Sequence, residues 1–438
     1  MAAPRPKSPE LSPVSREWLD RTDPAERKRR GQYLTPRPIA EALLDRCGLE
    51  PGMKVLDPGV GTGELLRAAL DREPRIEATG WDTDPAALEA ASRLVPEACL
   101  CHRSALEGDS PTSGFDLVIG NPPYFQIRLD REERSRFSGV ISGRANIFAL
   151  FFQAGLDRLK DGGRLAFIVP PSMNSGAYFE ALREHITGRS SIVDLTILPG
   201  SDRFEGANTA AQLLVLKKRN VAPVNGPGDR FVFRREVAEA RFRRLIFTPH
   251  PKRLAGEFTD RVTVWDLGGE AATGRVVWNE HRDALKNRPG PGRVPLVWSR
   301  DLRNAELIPG AEGRDGGEGP SGNNGNPRPG YFQLGDGRPA PVTGPAVLVN
   351  RVVGAVGRGE LRSALLPEGA PFLAENHVNV ILPAVSAAKG NVAASGRFEW
   401  QRIWNALQAP QVADRVRLLT GNTQISAREL THLIPLDP

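Results

Sequence analysis

Between Lys54 and Lys218 short apolar runs alternate with amphipathic stretches. Strand-like runs fall at 54–57, 76–82, 115–120, 164–169, 192–198 and 212–217, and helix-like stretches at 64–71, 85–94, 146–160 and 178–187. This alternation predicts βαβ units and a mostly parallel sheet covered on both faces, an α/β fold. The last two runs are joined without a clear helix, which allows an antiparallel pair at the end of the sheet. Outside this block the rhythm fades. Residues 1–24 carry little to bury and read as a disordered tail. Residues 220–229 are rich in Pro, Gly and Asn and read as a linker. Beyond them, β-like runs at 262–267, 346–350 and 377–382 predict a mixed, irregular second domain, with 309–330 as a mobile insertion. The expected domains are therefore a tail (1–24), a first domain (25–222) and a second domain (223–438).

Composition narrows the class. A chain of 438 residues, 40% hydrophobic and 25% charged, can build two or three domains with proper cores. No apolar run approaches the roughly 18 residues of a membrane span, and residues 1–13 lack the apolar centre of a signal peptide. Three cysteines cannot staple a chain of this size, which points to a reducing cytoplasm. Cys99, Cys101 and His102 lie close together, but no second Cys or His pair completes a zinc site, so no metal is expected. The net charge of +6 is unevenly placed. Residues 1–222 hold 30 basic and 30 acidic residues, and residues 223–438 hold 28 and 22, so the whole excess lies in the second half. A balanced half suits a small-molecule site, and a basic half suits an acidic partner such as nucleic acid.

The segment Asp57-Pro58-Gly59-Val60-Gly61-Thr62-Gly63-Glu64 follows a strand and opens a helix. Glycines there let a ligand approach the backbone at the switch point of a parallel sheet. The dinucleotide fingerprint needs a further glycine where Glu64 stands, and a carboxylate at a helix N-terminus repels a pyrophosphate. The phosphate-loop pattern also fails. The next strand ends in Trp81-Asp82, where an acid can accept both ribose hydroxyls and Trp81 could lie along an adenine. Loop and acid together suit a nucleoside without phosphates, S-adenosyl-L-methionine above all.

The run 115–120 leads into Asn121-Pro122-Pro123-Tyr124-Phe125. Two prolines remove two N–H groups and stiffen the turn. The Asn side-chain oxygen and the neighbouring carbonyls are then free to accept hydrogens. A planar amino group has two hydrogens to give, and Tyr124 offers a face on which to stack its ring. Phe125 adds apolar wall.

On these motifs, residues 30–220 resemble the gamma-class N6-adenine DNA methyltransferases of restriction–modification systems. The resemblance implies a Rossmann-like methyltransferase fold with a seven-stranded sheet, S-adenosyl-L-methionine as cofactor and double-stranded DNA as partner. It also leaves room for a cognate restriction endonuclease acting on the same site. It gives Asn121, Pro122, Pro123 and Tyr124 the catalytic loop, and Tyr124 with Phe204 the two faces of a flipped target base. Cofactor contacts fall to Tyr33 and Thr35 of a segment that closes over the methionine part, to Asp57, Pro58, Gly59, Gly61, Gly63 and Asp82, to Asn121, and to Phe151 on the helix lining the adenine pocket. The family's acid against the cofactor adenine amine is replaced by Ser104, with Asp109 as a substitute. For the second domain it implies target recognition, and Arg351, Arg358, Arg362, Asn422 and Gln424 are the candidate DNA contacts, being side chains suited to phosphates and to adenine or guanine edges. A cytosine C5 enzyme would need a cysteine nucleophile near the loop, and Cys99 and Cys101 lie on another strand. A protein glutamine N-methyltransferase also uses Asn-Pro-Pro-Tyr, but that family places a small helical domain first, the reverse of the order here.

Overall fold

The computed structural model describes residues 11–107, 113–198, 211–220, 230–237, 242–259, 261–303, 305–306, 329–351, 360–366, 371–384, 398–419 and 424–436. The chain divides into two units, one comprising residues up to Phe233 with Leu245–Pro251, the other Arg234–Arg244 with Lys252–Pro438. The first unit extends past the expected boundary at residue 222 because Phe231, Leu245 and Phe247 are buried in its core.

The first unit is built on a seven-stranded sheet. Its strands are β1 (Lys54–Asp57), β2 (Glu77–Asp82), β3 (Cys99–His102), β4 (Phe115–Gly120), β5 (Leu159–Val169), β6 (Ser190–Ile197) and β7 (Gln212–Lys218), in the order β3-β2-β1-β4-β5-β7-β6. Neighbours from β3 to β5 pair in parallel, and β7 pairs antiparallel with both β5 and β6. The antiparallel pair expected from the missing helix is therefore present, with β7 inserted between β5 and the edge. Side chains alternate across the sheet, as period-two strands require. Leu56, Trp81, Val118, Leu165 and Phe167 face one core. Val55, Ala78, Leu117, Ile119, Ala166 and Ile168 face the other.

Helices cover both faces: α1 (Pro13–Arg21), α2 (Pro24–Arg30), α3 (Arg37–Leu44), α4 (Glu64–Arg72), α5 (Pro85–Leu94), α6 (Ile147–Arg158) and α7 (Glu180–Arg189). The helix α1 corrects the expectation of a tail over residues 1–24, of which 1–10 lie outside the described residues. Ser12 caps α1 by accepting from Ser15 N, Pro13 occupies its first turn, and Trp18 is buried against Ala87 and Ala90 of α5. A Ser-Pro start and one large aromatic suffice to order a short helix that has a surface to dock on.

The second unit is mixed α/β. One sheet orders Gly269–Thr273, Val378–Pro383, Ala346–Asn350, Ser363–Leu366 and Ala305–Glu306, and a four-stranded sheet includes Arg293–Val297 and Tyr331–Gln333. Helices Trp400–Leu407, Pro410–Leu419 and Ala427–His432 accompany them. The run 262–267, expected as β-like, is a turn, because Thr263 N and Oγ1 both donate to Asp266 Oδ2 at 2.8 Å. Of the expected linker only residue 220 is described, and of the expected insertion only residues 329–330.

Candidate functional site

The C-terminal ends of β1, β2 and β4 open onto a cavity of about 310 Å³. Parallel strands deliver their following loops to this edge, which is where open α/β sheets place ligands. The glycine loop leaves β1 here. Gly61 and Gly63 have φ of +53° and +94°, left-handed conformations that a side chain resists. At Gly63 an added Cβ would also meet Val95 at 3.1 Å, so this glycine lets α4 approach α5. The loop is pinned to β2 by Val60 N donating to Trp81 O at 2.9 Å and Gly61 N donating to Asp82 Oδ2 at 2.8 Å.

Asp82 lies at the end of β2 and lines the cavity. Its Oδ1 accepts from Asp84 N at 2.9 Å, so each oxygen retains a lone pair for a ligand hydroxyl. Burial raises its carboxyl above the ordinary range, against the lowering effect of those backbone donors. Asp57 is more extreme. It is 2% exposed, and burial pushes it up to about 7, although Gly59 N donates to its Oδ1 at 3.1 Å. Asp57 does not line the cavity; it braces the loop from behind.

Of the residues expected to touch a cofactor, Tyr33, Pro58, Gly59, Gly61, Asp82, Ser104, Asn121 and Phe151 line the cavity. Thr35, Asp57 and Gly63 stand behind that wall, and Asp109 lies outside the described residues. Ser104 Oγ accepts from Leu106 N at 3.1 Å, which leaves its own hydrogen free to donate. Trp81 corrects the expectation that it lies along an adenine. It is 1% exposed and packed between the guanidiniums of Arg103 and Arg158, 4.5 and 4.9 Å from its ring. Sequence reasoning missed Trp18, Arg30 and Arg103 among the lining residues. The Ser-Pro helix start was the available signal for Trp18.

The Asn121–Tyr124 loop forms the adjoining wall. Asn121 Nδ2 donates to Tyr33 O at 2.9 Å and to Thr35 Oγ1 at 3.3 Å. The Tyr124 hydroxyl lies 2.8 Å from Asn121 Oδ1 and 2.7 Å from Ile168 O. Asn121 Oδ1, expected to be free to accept, competes with Ile168 O for the single Tyr124 hydrogen and keeps at least one lone pair for a ligand. Tyr124 stands edge-on to Phe148 at 6.1 Å, and burial raises its hydroxyl above the usual value. Pro123 and Phe125 line the cavity beside Asn121, while Pro122 is buried.

Residues 80–204 match the family described as Eco57I restriction-modification methylase. The chain carries a restriction–modification methylase domain. The methylase domain's match contains Asp82, Ser104 and the whole Asn121–Tyr124 loop. Curated relatives agree. The type II methyltransferase M.CvrRI of Paramecium bursaria Chlorella virus XZ-6E is 23% identical over 64% of this chain and 70% of its own length. The modification methylase CviBIII of Paramecium bursaria Chlorella virus NC1A is 26% identical over 46% of this chain and 52% of its own. The type II methyltransferase M.TthHB8I of Thermus thermophilus is 25% identical over 62% and 66%.

The methylase domain fits S-adenosylmethionine on its own geometry. The cavity combines a ribose-type acid at Asp82, apolar walls from Leu34, Ile147 and Phe151, and a glycine turn that admits a ligand to the backbone. Trp18, also on its lining, has a buried indole N–H with no partner among the described residues. Among those residues no group of His, Cys, Asp and Glu could hold a metal ion, and no helix is long and apolar enough to cross a membrane.

In the second unit, Arg351, His377 and Ile425, the residue after Gln424, come together through the backbone. Arg351 N donates to His377 O, and Ile425 N to Arg351 O, both at 2.8 Å. His377 Nδ1 meets the buried Glu375 Oε1 at 2.6 Å. Arg362 lies beside Asn350, to whose Oδ1 its N–H donates at 2.7 Å. Phe204, Arg358 and Asn422 lie outside the described residues.

Proposed function

We propose that this protein transfers the methyl group of S-adenosylmethionine to the N6 amino group of an adenine flipped out of double-stranded DNA, as the modification enzyme of a restriction–modification system. The observation that carries the reading is Asn121. Its Nδ2 is bound from behind, its Oδ1 keeps one acceptor site, and it lies on the wall of the cofactor cavity.

Asp82, the glycine loop and Phe151 would hold S-adenosylmethionine, which would supply an activated methyl group when bound. The chain's own residues prepare the nucleophile. The adenine amino nitrogen is a poor one, its lone pair being delocalised into the ring. Asn121 Oδ1 and the Pro122 carbonyl accept its two hydrogens, draw it toward tetrahedral geometry and stabilise the positive charge that develops. In a duplex this amine is paired and out of reach, so the base must leave the stack, at a cost of a few kcal/mol. Stacking on Tyr124, with Phe204 assigned the opposite face, offsets that cost by about 1–3 kcal/mol per base. No strong base is needed, because nitrogen gives up its proton after transfer. Much of the rate comes from alignment of the amine on Asn121.

The second unit is assigned target recognition, with Arg351, Arg362 and Gln424 as described candidates and Arg358 and Asn422 added from sequence. Double-stranded DNA is the partner, and an endonuclease acting on the same site is the expected companion. The deciding experiment is labelled methyl transfer to duplex DNA followed by nucleoside analysis. Label in N6-methyladenine is expected. Label in N4-methylcytosine would move the target base, and methylglutamine in protein would select the glutamine methyltransferase reading.

A further inference from the structure

Residues 11–36 contain no strand and run as a strap across the cavity. At one end, Ser12 N donates to Glu64 Oε1 at 2.8 Å, and Ser15 Oγ meets Thr62 Oγ1 at 2.6 Å. Ser15, Thr62 and Glu64 are all buried, and the latter two are the exit of the glycine loop into α4. In the middle, Trp18 packs on α5, and Gln32 Nε2 donates to Asp84 Oδ2 at 2.8 Å. At the far end, the Tyr33 carbonyl and the Thr35 hydroxyl receive the two hydrogens of Asn121 Nδ2.

A carboxamide is nearly symmetric in shape, and a half-turn about its last bond exchanges oxygen for NH₂. The exchange matters at Asn121. Oδ1 accepts from a target amine, whereas Nδ2 would set donor against donor and leave the amine's lone pair undirected. Two acceptors on the strap receive the Nδ2 hydrogens, and the Tyr124 hydroxyl, whose one hydrogen is shared between Oδ1 and Ile168 O, faces the oxygen side. The half-turn would set Oδ1 against the Tyr33 carbonyl, acceptor against acceptor, and would force the Thr35 and Tyr124 hydroxyls to turn their own hydrogens, so the strap's Tyr33 carbonyl decides the orientation and Thr35 supports it.

We propose that residues 11–36 are a positioning device for methyl transfer: docking of α1 on the glycine loop carries Tyr33 O and Thr35 Oγ1 onto Asn121 Nδ2 and so holds Oδ1 toward the target amine. The proposal rests on the amino-methyltransferase reading and adds to it. It makes turnover, and not cofactor affinity alone, depend on a helix outside the sheet. It also gives Glu64 a role, as the buried anchor for the start of α1.

The test compares Thr35→Val, which keeps shape and removes the acceptor, with Thr35→Ser, which restores it. A double variant, Ser15→Ala with Thr62→Val, removes the buried hydroxyl pair without leaving an unpaired partner. For each, kcat is measured on duplex DNA, S-adenosylmethionine affinity by calorimetry, and strap docking by the rate of trypsin cleavage in the arginine-rich α2. Thr35→Val should lose about tenfold or more in kcat, the scale of one hydrogen bond, with cofactor affinity held within about threefold. Thr35→Ser should recover most of the loss. The double variant should lose kcat and be cut faster in α2. A wild-type kcat in Thr35→Val, or a loss confined to cofactor affinity, sinks the proposal. Wild-type protein silent on DNA sinks the preceding reading and this one with it; a wild-type rate kept by Thr35→Val sinks this one alone.

Discussion

Asn121 in the first unit and Arg351 in the second are held by different means. The Asn121 side chain is fixed at both ends, by Tyr33 O and Thr35 Oγ1 on its nitrogen and by the Tyr124 hydroxyl on its oxygen. Arg351 is fixed through its backbone, which bonds to His377 and Ile425, while among the described residues its guanidinium makes one longer contact, 3.2 Å to Asn376 O. The difference fits the roles proposed for the two residues, Asn121 at a reacting amine and Arg351 at a DNA phosphate. Charge developing on a reacting amine rewards an acceptor already in place, because reorganisation during the reaction would add to the barrier. A phosphate contact needs reach and charge, and tolerates a side chain that settles on binding.

The sharpest way to break this comparison is Asn121→Ala. If the amide is preorganised for the target amine, methyl transfer should fall by about 10²–10³-fold, the usual scale for removing one preorganised hydrogen-bonding group from a reacting centre. Cofactor affinity measured by calorimetry should stay within a few fold. A collapse of cofactor binding instead would make the loop a cofactor wall and overturn its role at the amine.

Asp57 tests how far the first unit gives up stability for its site. Burial pushes its carboxyl from 3.8 to about 7. The folded chain thus holds this proton to higher pH than the unfolded chain. Its stabilising contribution is full below about pH 4 and is lost as pH rises through 7. Asp57→Asn removes the titration while keeping the acceptor for Gly59 N. Urea unfolding should show the variant gaining on the wild type across pH 4 to 7, up to a ceiling of about 4 kcal/mol set by the size of the shift. Equal stability at pH 8 would mean that Asp57 is ionised without penalty in the fold.

Tyr124 separates ring from hydroxyl. Tyr124→Ala should weaken capture of a flipped base by about 1–3 kcal/mol. Tyr124→Phe keeps the ring and should keep most of that, losing the hydroxyl contacts to Asn121 Oδ1 and Ile168 O. Fluorescence of 2-aminopurine at the target position reports both. An identical signal from wild type and Tyr124→Ala would remove the stacking role.

The two units were also unequally legible in the sequence. Strands β1 and β4 coincide with the expected runs at 54–57 and 115–120, and α5 with 85–94. Their signals are local: a buried parallel strand is a continuous apolar run, and the glycine and Asn-Pro-Pro-Tyr loops follow directly on strand ends. What was not legible depends on partners distant in the chain. Residues 11–24 read as a tail because α1 has little to bury alone, and its order comes from Ala87, Thr62 and Glu64. Trp81 read as a free aromatic because nothing nearby announces that Arg158 will pack on it. In the second unit, Ala305–Glu306 pairs with Ser363–Leu366 and Gly269–Thr273 with Val378–Pro383 across long separations. Short strands of that kind leave no periodicity to read, so only Ala346–Asn350 matched its expected bounds.

The smallest expected effect belongs to Arg351. If its guanidinium reaches a phosphate, Arg351→Gln removes one released counterion. The slope of log affinity against log salt should then become shallower by about 0.9, nearly equally on cognate and unrelated duplexes. Its backbone bonds to His377 and Ile425 do not involve the side chain, so the fold around Arg351 should survive the change. If the guanidinium instead reads a guanine edge, the loss should concentrate on the cognate site, at about 1–3 kcal/mol for one bidentate pair, and discrimination at one base position should relax. Binding measured over a salt series with both duplexes separates the two. A variant that matches wild type in slope and preference would take Arg351 out of the interface. The adaptable contact that this residue represents would then have to be sought elsewhere in the second unit, with Arg362 tested next.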